Sequence, residues 1–249
     1  MKRVTLYQID IFSDTFRQLL SWISCVKEKG FIVTPNVDHI VKLDKDKIFR
    51  EAYKKASLIL PDGKPLLWTS RLVGSPIREK ISGSDLFLKL LPFCEENNKS
   101  IYLLGSMDSV RQKALRRLAD EYPLLHVSGS FSPPIGFETD QEMNNHIIES
   151  INKLHPDYLF IFLGAPKQEI WISRNIEGLN IRLAFCLGAS LDFFAGEFKR
   201  APVWMQHMGL EWFWRMIFDR RLVKRYLVED MLPFARLTLR EIRLVRLRA

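Results

Sequence analysis

The chain has 249 residues, 47% of them apolar and 27% charged, enough for one large domain with a buried core and against wholesale disorder. A formal charge of +8 and an isoelectric point near 9.4 call for an anionic partner; nucleic acid, anionic lipid and phosphorylated small molecules all qualify on charge alone. Cys25, Cys94 and Cys186 are far apart and odd in number, which indicates neither a disulfide framework nor a zinc site and suggests a reducing compartment; with no signal peptide and no apolar run of about 18 or more residues, the protein is expected in the cytoplasm or on a membrane face.

Val4 to Ile11 alternates as a strand, and Ser13 then offers an N-cap to an amphipathic helix carrying Phe16, Leu19, Leu20, Ile23 and Val26 that stops at Gly30. Phe31 to Thr34 reads as a short apolar strand, followed by Pro35-Asn36-Val37-Asp38 and helical residues to about Ala56. Ser57 to Pro61 is a further strand, ending at Asp62-Gly63, with helices at Lys64 to Leu72 and Ser84 to Glu96. A regular alternation comes next: strand Ile101 to Leu104, helix Ser109 to Glu121, strand Leu125 to Gly129, helix Asp140 to Lys153, strand Tyr158 to Leu163, helix Gln168 to Asn175 and strand Arg182 to Leu187. That order predicts an α/β fold, a Rossmann-like, mostly parallel sheet with helices on both faces. After Pro202 only helices are expected, so residues 1–202 are read as the core and 203–249 as a helical C-terminal appendage.

In open α/β sheets ligands bind beyond the carboxyl ends of the strands, where the following helices present unpaired N–H groups. Small or polar residues fall at those ends here: Thr34-Pro35-Asn36, Asp62-Gly63, Gly105-Ser106, Gly129-Ser130, Gly164 to Glu169, and Gly188-Ala189-Ser190. Any one glycine after a strand serves a tight turn equally well; several at one rim predict a pocket for a nucleotide or phosphorylated ligand. P-loop, dinucleotide-fingerprint, nucleophile-elbow and His-Glu-x-x-His patterns are absent, and the five histidines show no ligand-like spacing. Kinase, dehydrogenase, triad-hydrolase and zinc-enzyme readings therefore have little support. Asp62 is the one strand-end carboxylate framed by backbone-bending residues, in Leu60-Pro61-Asp62-Gly63. It admits two readings, a turn residue or a general base held within reach of a sugar hydroxyl.

Taken in order, these residues resemble the WecG/TagA/CpsF family of bacterial glycosyltransferases (glycosyltransferase family 26). The resemblance runs from near residue 5 to about 230, through Thr34-Pro35-Asn36 with Asp38, Asp62-Gly63, Gly83-Ser84-Asp85-Leu86, Tyr102-Leu103-Leu104-Gly105, Gly164-Ala165-Pro166-Lys167-Gln168-Glu169, Gly188-Ala189 with Asp192, Phe193 and Gly196, Lys199-Arg200-Ala201-Pro202 and Gly209-Leu210-Glu211-Trp212. It implies an inverting, metal-independent transferase, without a cofactor, that moves N-acetylmannosamine or a related hexose from a UDP-sugar donor to a polyprenyl-diphosphate-linked sugar acceptor in cell-surface polysaccharide or teichoic acid synthesis. Asp62 matches the family's proposed base, and Thr34 and Asn36 match residues expected to position the donor sugar. Without a metal, the diphosphate needs helix N-termini, backbone N–H groups and cations. Gly105, Gly164, Lys167, Gln168 and Gly188 are the candidates at the rim, and Arg200, just past the last strand, faces either the phosphates or the lipid.

From Trp204 onward ten Lys and Arg stand against five Asp and Glu, mixed with Trp204, Trp212, Phe213, Trp214, Phe218, Tyr226 and Phe234. Aromatic and basic residues together predict an interfacial helix on an anionic membrane surface; an ordinary packed helical hairpin with a solvated basic face is the alternative. The resemblance implies docking as a peripheral protein on the cytoplasmic face of the bacterial plasma membrane, with Arg215, Arg221 and Arg225 brought over the active site. This chain departs from the family's Pro-x-Arg-x-x-Arg pattern: Phe218-Asp219-Arg220-Arg221-Leu222 has no proline, and a leucine stands where arginine is expected, with Arg221 one residue earlier. A basic nucleic-acid-binding module without catalysis is the alternative from another class; no nucleic-acid motif supports it, and nucleic acid is not expected as a partner. A homo-oligomer is left open.

Overall fold

A computed structural model describes residues 1–198, 201–202, 204–205, 214 and 225–248. The chain begins with a hairpin of β1 (Arg3–Leu6) and β2 (Ile9–Phe12), then runs through α1 (Phe16–Cys25), β3 (Gly30–Val33), α2 (Val37–Lys45), α3 (Lys47–Lys54), β4 (Leu58–Ile59), α4 (Lys64–Leu72) and α5 (Gly83–Glu96). The second half contains β5 (Ile101–Gly105), α6 (Asp108–Glu121), β6 (Val127–Phe131), α7 (Gln141–Leu154), β7 (Tyr158–Phe162), α8 (Lys167–Asn175), β8 (Leu183–Cys186) and α9 (Ser190–Phe194). A π-helical turn, Arg225–Met231, leads into the last described helix, here α10 (Leu232–Arg248).

The eight strands form one sheet in the order β1-β2-β4-β3-β8-β7-β5-β6, parallel throughout except for the antiparallel edge strand β1. Its central strands are buried on both faces, as the Gly30–Val33, Tyr158–Phe162 and Leu183–Cys186 runs show, and a continuous apolar run is what a doubly covered parallel strand requires. Alternation divides them between two cores: Phe31, Val33, Leu159 and Ile161 enter one, while Ile32, Tyr158, Phe160 and Phe185 enter the other. The chain fills the β2-β4-β3 side first and crosses to the far side for β5, so the two halves meet where β3 pairs with β8, Ile32 opposite Phe185. That seam is the topological switch point, where a crevice forms above the strand ends.

Several expectations shift by local chemistry. Val4 to Ile11 is two strands rather than one, because Tyr7 and Gln8 adopt φ of 54° and 62° and make a two-residue hairpin without the usual glycine. The cap of α1 is Thr15, not Ser13; its side chain and that of Gln18 form a reciprocal capping box. Gly30 does not end that helix but opens β3, where a Cβ would lie 1.9 Å from Ser57 Oγ. The expected helix to Ala56 is α2 and α3, divided at Asp46, whose carboxylate accepts the Ile48 and Phe49 amides at 2.8 and 3.0 Å. Gly129-Ser130 lies inside β6, whose rim begins only at Ser132.

The appendage, where described, is helical and packs on the core. Phe234 is buried against Tyr7 with ring centroids 5.6 Å apart, and the Tyr7 hydroxyl meets Thr238 at 2.8 Å and donates to Thr69 at 3.0 Å. No helix among the described residues is long and apolar enough to cross a membrane.

Candidate active site

Thr34, Asn36, Asp62, Gly105, Gly164 and Gly188 all follow or end a strand at one rim of the sheet. Thr34 is buried at the β3–β8 seam and donates to the Cys186 carbonyl at 3.2 Å. Asn36 is the N-cap of α2, its Oδ1 accepting the His39 amide at 3.3 Å. Both therefore hold the backbone of the rim. Asp62 leaves β4 with its amide on the Pro35 carbonyl at 3.0 Å, and its Oδ2 lies 3.5 Å from the Gly83 nitrogen at the start of α5. Gly83 packs closely there: a Cβ on it would stand 3.2 Å from both Thr34 Oγ1 and the Leu187 carbonyl and 3.4 Å from Ser190 Oγ. Asp62, Thr34 and the segment after β8 thus converge on one helix start.

Beside them, over β5, β7 and β8, opens a cavity of about 560 Å³, within the range of small-molecule sites. Ser106, Gly164, Lys167, Gly188, Ala189 and Asp192 line it; Ser106 Oγ donates to Asp192 Oδ1 at 3.2 Å. The Pro133-Pro134-Ile135-Gly136 segment lines it as well. That segment is held through Arg111, whose Nε and Nη1 reach Ser132 and Ser130 at 3.0 and 2.6 Å. Gly188 has φ of 55° and space where a Cβ would stand. Gly105 is a glycine for another reason, since at φ of 110° a Cβ would lie 2.7 Å from the Phe162 carbonyl group.

Two expected ligand residues are engaged with protein. Lys167 Nζ is 2.6 Å from Glu138 Oε1, and that hydrogen bond holds the Glu138 carboxyl below its ordinary range. Gln168 is 2% exposed; its Oε1 accepts the Gly188 amide at 3.1 Å and its Nε2 donates to Glu169 Oε1 at 2.8 Å. Glu169 is fully buried, and burial pushes its carboxyl up to about 7. His39 Nδ1 lies 3.9 Å from it and 2.6 Å from the Tyr53 hydroxyl. Lys42 joins Asp38 at 2.6 Å and donates to the Ala165 carbonyl at 3.2 Å, tying α2 to the loop before α8. Glu138, Lys42 and the role of Glu169 escaped the sequence reading. Glu138 lies in a short 3-10 turn, Phe137–Thr139, with no motif, and Lys42 is set only by helical spacing from Asp38.

Arg200, Arg215 and Arg221 lie outside the described residues, as does the side chain of Arg225, whose backbone opens the π-helical turn. Among the described residues, no group of three or more His, Cys, Asp or Glu could hold a metal ion.

The mostly parallel sheet, with a cavity beyond the ends of β5, β7 and β8 and a carboxylate just past the end of β4, defines a Rossmann-like α/β protein with its pocket at the strand ends. The chain belongs to the glycosyl transferase WecG/TagA/CpsF family, which it matches over residues 4–248, and it is a glycosyltransferase. It is 31% identical over 196 residues to an N-acetylglucosaminyldiphosphoundecaprenol N-acetyl-beta-D-mannosaminyltransferase of Bacillus subtilis (strain 168), covering 79% of this chain and 74% of that one. The enzyme of the same name from Bacillus spizizenii is 28% identical over 231 residues, 91% of this chain and 88% of the relative. That from Staphylococcus aureus (strain MRSA252) is 30% identical over 195 residues, 78% and 74%.

Proposed function

We propose that this enzyme transfers N-acetylmannosamine or a related hexose from a UDP-sugar to a polyprenyl-diphosphate-linked sugar, with inversion and without a metal, in cell-surface polysaccharide or teichoic acid synthesis. The observation that carries the reading is the position of Asp62 on the same rim as the 560 Å³ cavity, joined to it through Gly83 and the segment after β8. In this reading the UDP moiety occupies the cavity. Asp192 accepts a ribose hydroxyl, while the diphosphate lies toward the backbone of Gly164 and Gly188 and the ammonium of Lys167. The sugar then projects over Thr34 and Asn36 toward Asp62.

Asp62 takes the proton from the acceptor hydroxyl as that oxygen attacks the anomeric carbon from the face opposite UDP. The glycosidic bond to UDP breaks in the same step, and the charge developing on the leaving diphosphate is offset by the cations of the rim. Residues 1–202 form the catalytic core in this reading. The appendage rests on an anionic membrane surface on the cytoplasmic side, where the lipid acceptor is held, and it brings Arg215, Arg221 and Arg225 toward the phosphates, which Arg200 at the end of the core also faces.

Purified protein incubated with a panel of UDP-sugars and an N-acetylglucosaminyl-diphosphate-lipid acceptor in the presence of a chelator is expected to release UDP with one donor of the N-acetylmannosamine class. Release that occurs only with added divalent metal, or with no UDP-sugar in the panel, would overturn the reading.

A further inference from the structure

The chain of contacts Gly188–Gln168–Glu169 runs from the lining of the cavity into the core, and the reaction described above gives no task to its inner end. Gly188 presents its open face to the cavity. Its amide is not left to a ligand; it is held by Gln168 Oε1 at 3.1 Å. Gln168 has no freedom of its own, since its Nε2 is fixed by Glu169 Oε1 at 2.8 Å. An amide side chain otherwise presents either its oxygen or its nitrogen with similar ease, so an acceptor on the nitrogen side decides which end faces Gly188. A buried carboxyl is an expensive way to supply that acceptor. Glu169 Oε2 meets no hydrogen-bond partner among the described residues. The groups packed around it are Asp38, His39 and Lys42 from α2, Tyr53 from α3 and Cys186 from β8.

We infer that Glu169 is a positioning residue: by holding the Gln168 amide in one orientation it fixes the segment from Gly188 to Asp192, which lines the donor cavity on one side and packs Ser190 against the helix start facing Asp62 on the other. Fold stability alone does not ask for this arrangement, because an apolar residue of similar volume would fill the space without an orphaned oxygen. The inference rests on the reading of the cavity as the donor site.

Hydrogen exchange at the Gly188 amide, followed in the unliganded protein, reads the relay directly, and calorimetric titration with UDP reads its consequence. Glu169→Gln keeps a carbonyl oxygen for Gln168 and is expected to retain both protection and affinity. Glu169→Ala and Glu169→Leu, the second filling the space so that the fold is kept, are expected to lose Gly188 protection about tenfold, the scale of one internal hydrogen bond. They are also expected to weaken UDP binding about tenfold, raising the donor KM more than they lower kcat. Unchanged protection in Glu169→Leu would overturn the relay, whether or not UDP binds. Lost protection with unchanged UDP affinity would overturn its role in the site, and so would failure of Glu169→Gln to restore what Leu loses. Failure of the wild type to bind UDP would instead count against the reading of the cavity, with Gly188 exchange still deciding the relay.

Discussion

Asp62 Oδ2 lies 3.5 Å from the backbone nitrogen of Gly83, so a carboxylate that ends one strand faces the positive end of a 14-residue helix. Contacts of this kind are commonly structural, since an anion at a helix start stabilises the helix by a fraction of a kcal/mol to about 1 kcal/mol. Only the distribution of a mutational effect separates that from base catalysis. Asp62→Asn keeps an oxygen for the Gly83 amide but cannot accept the acceptor's proton. Its kcat is expected to fall by about 10²–10⁴-fold, with UDP affinity and melting temperature close to wild type. A loss of stability without a loss of kcat would leave Asp62 a capping residue.

The buried carboxyl of Glu169 sets a stability effect with a definite sign. Folding raises it from 4.5 to about 7 through burial, so the native state keeps the proton over a range in which the unfolded chain has lost it. The stability it confers is full below about pH 4.5 and is lost as pH climbs through 7. The total is about 3 kcal/mol by the linkage relation. Denaturant unfolding of wild type and Glu169→Gln at pH 5 and pH 8 is expected to show the variant gaining relative stability at the higher pH; a pH-independent difference would contradict it.

Much of this architecture is legible in the residues. The apolar runs 158–162 and 183–186 are long enough for strands and too short for helices, and Asp62, Gly164 and Gly188 sit after strands in the text as in space. What the text hides is what side chains do to one another. Asn36 and Thr34 look like ligand residues, yet their described hydrogen bonds cap a helix and join two strands. Gln168 reads as a ligand residue at the rim but is buried, its amide held by the following Glu169. The hairpin at Tyr7-Gln8 was missed because neither residue favours positive φ on its own; the packing of Tyr7 under Phe234, over two hundred positions away, helps to hold it.

Gly105 ties the rim to the sheet by the absence of a side chain. With φ of 110° and a Cβ that would stand 2.7 Å from Phe162 C and O, Gly105→Ala strains β5 and pushes it from β7. The expected destabilisation is roughly 2–4 kcal/mol, a fall in Tm of about 5–15 °C for a chain of this size, read by thermal melting followed by circular dichroism. A melting curve that overlays the wild type would show that the two strands can part at this point.

Lys167 and Glu138 make a competition visible. Both line the cavity and lie 2.6 Å apart, so a diphosphate drawing on the Lys167 ammonium must share it with a carboxylate already in place. Glu138→Gln is expected to strengthen UDP binding about 3- to 10-fold at low salt, and Lys167→Ala to weaken it by a similar factor; both effects should shrink in high salt because the pair is partly exposed. Titration calorimetry at two salt concentrations checks this. Weaker binding in Glu138→Gln would mean that its carboxylate holds the ligand rather than competing with it.

The last helix has spent its inner side within the fold, on Tyr7 and Thr69 through Phe234 and Thr238. What it turns outward is a mixture of Leu232, Leu239 and Leu247 with Arg236 and Arg243, a pattern suited to the boundary between headgroups and acyl chains. If that surface meets anionic lipid, each arginine near the bilayer contributes about 1 kcal/mol, and the attraction fades within a Debye length. Full-length protein is therefore expected to float with vesicles containing phosphatidylglycerol and not with purely zwitterionic ones. The double variant Arg236→Glu, Arg243→Glu should lose at least about tenfold in partitioning while retaining its affinity for UDP, since neither residue lines the cavity. Flotation of the double variant equal to wild type would move the membrane contact away from this helix.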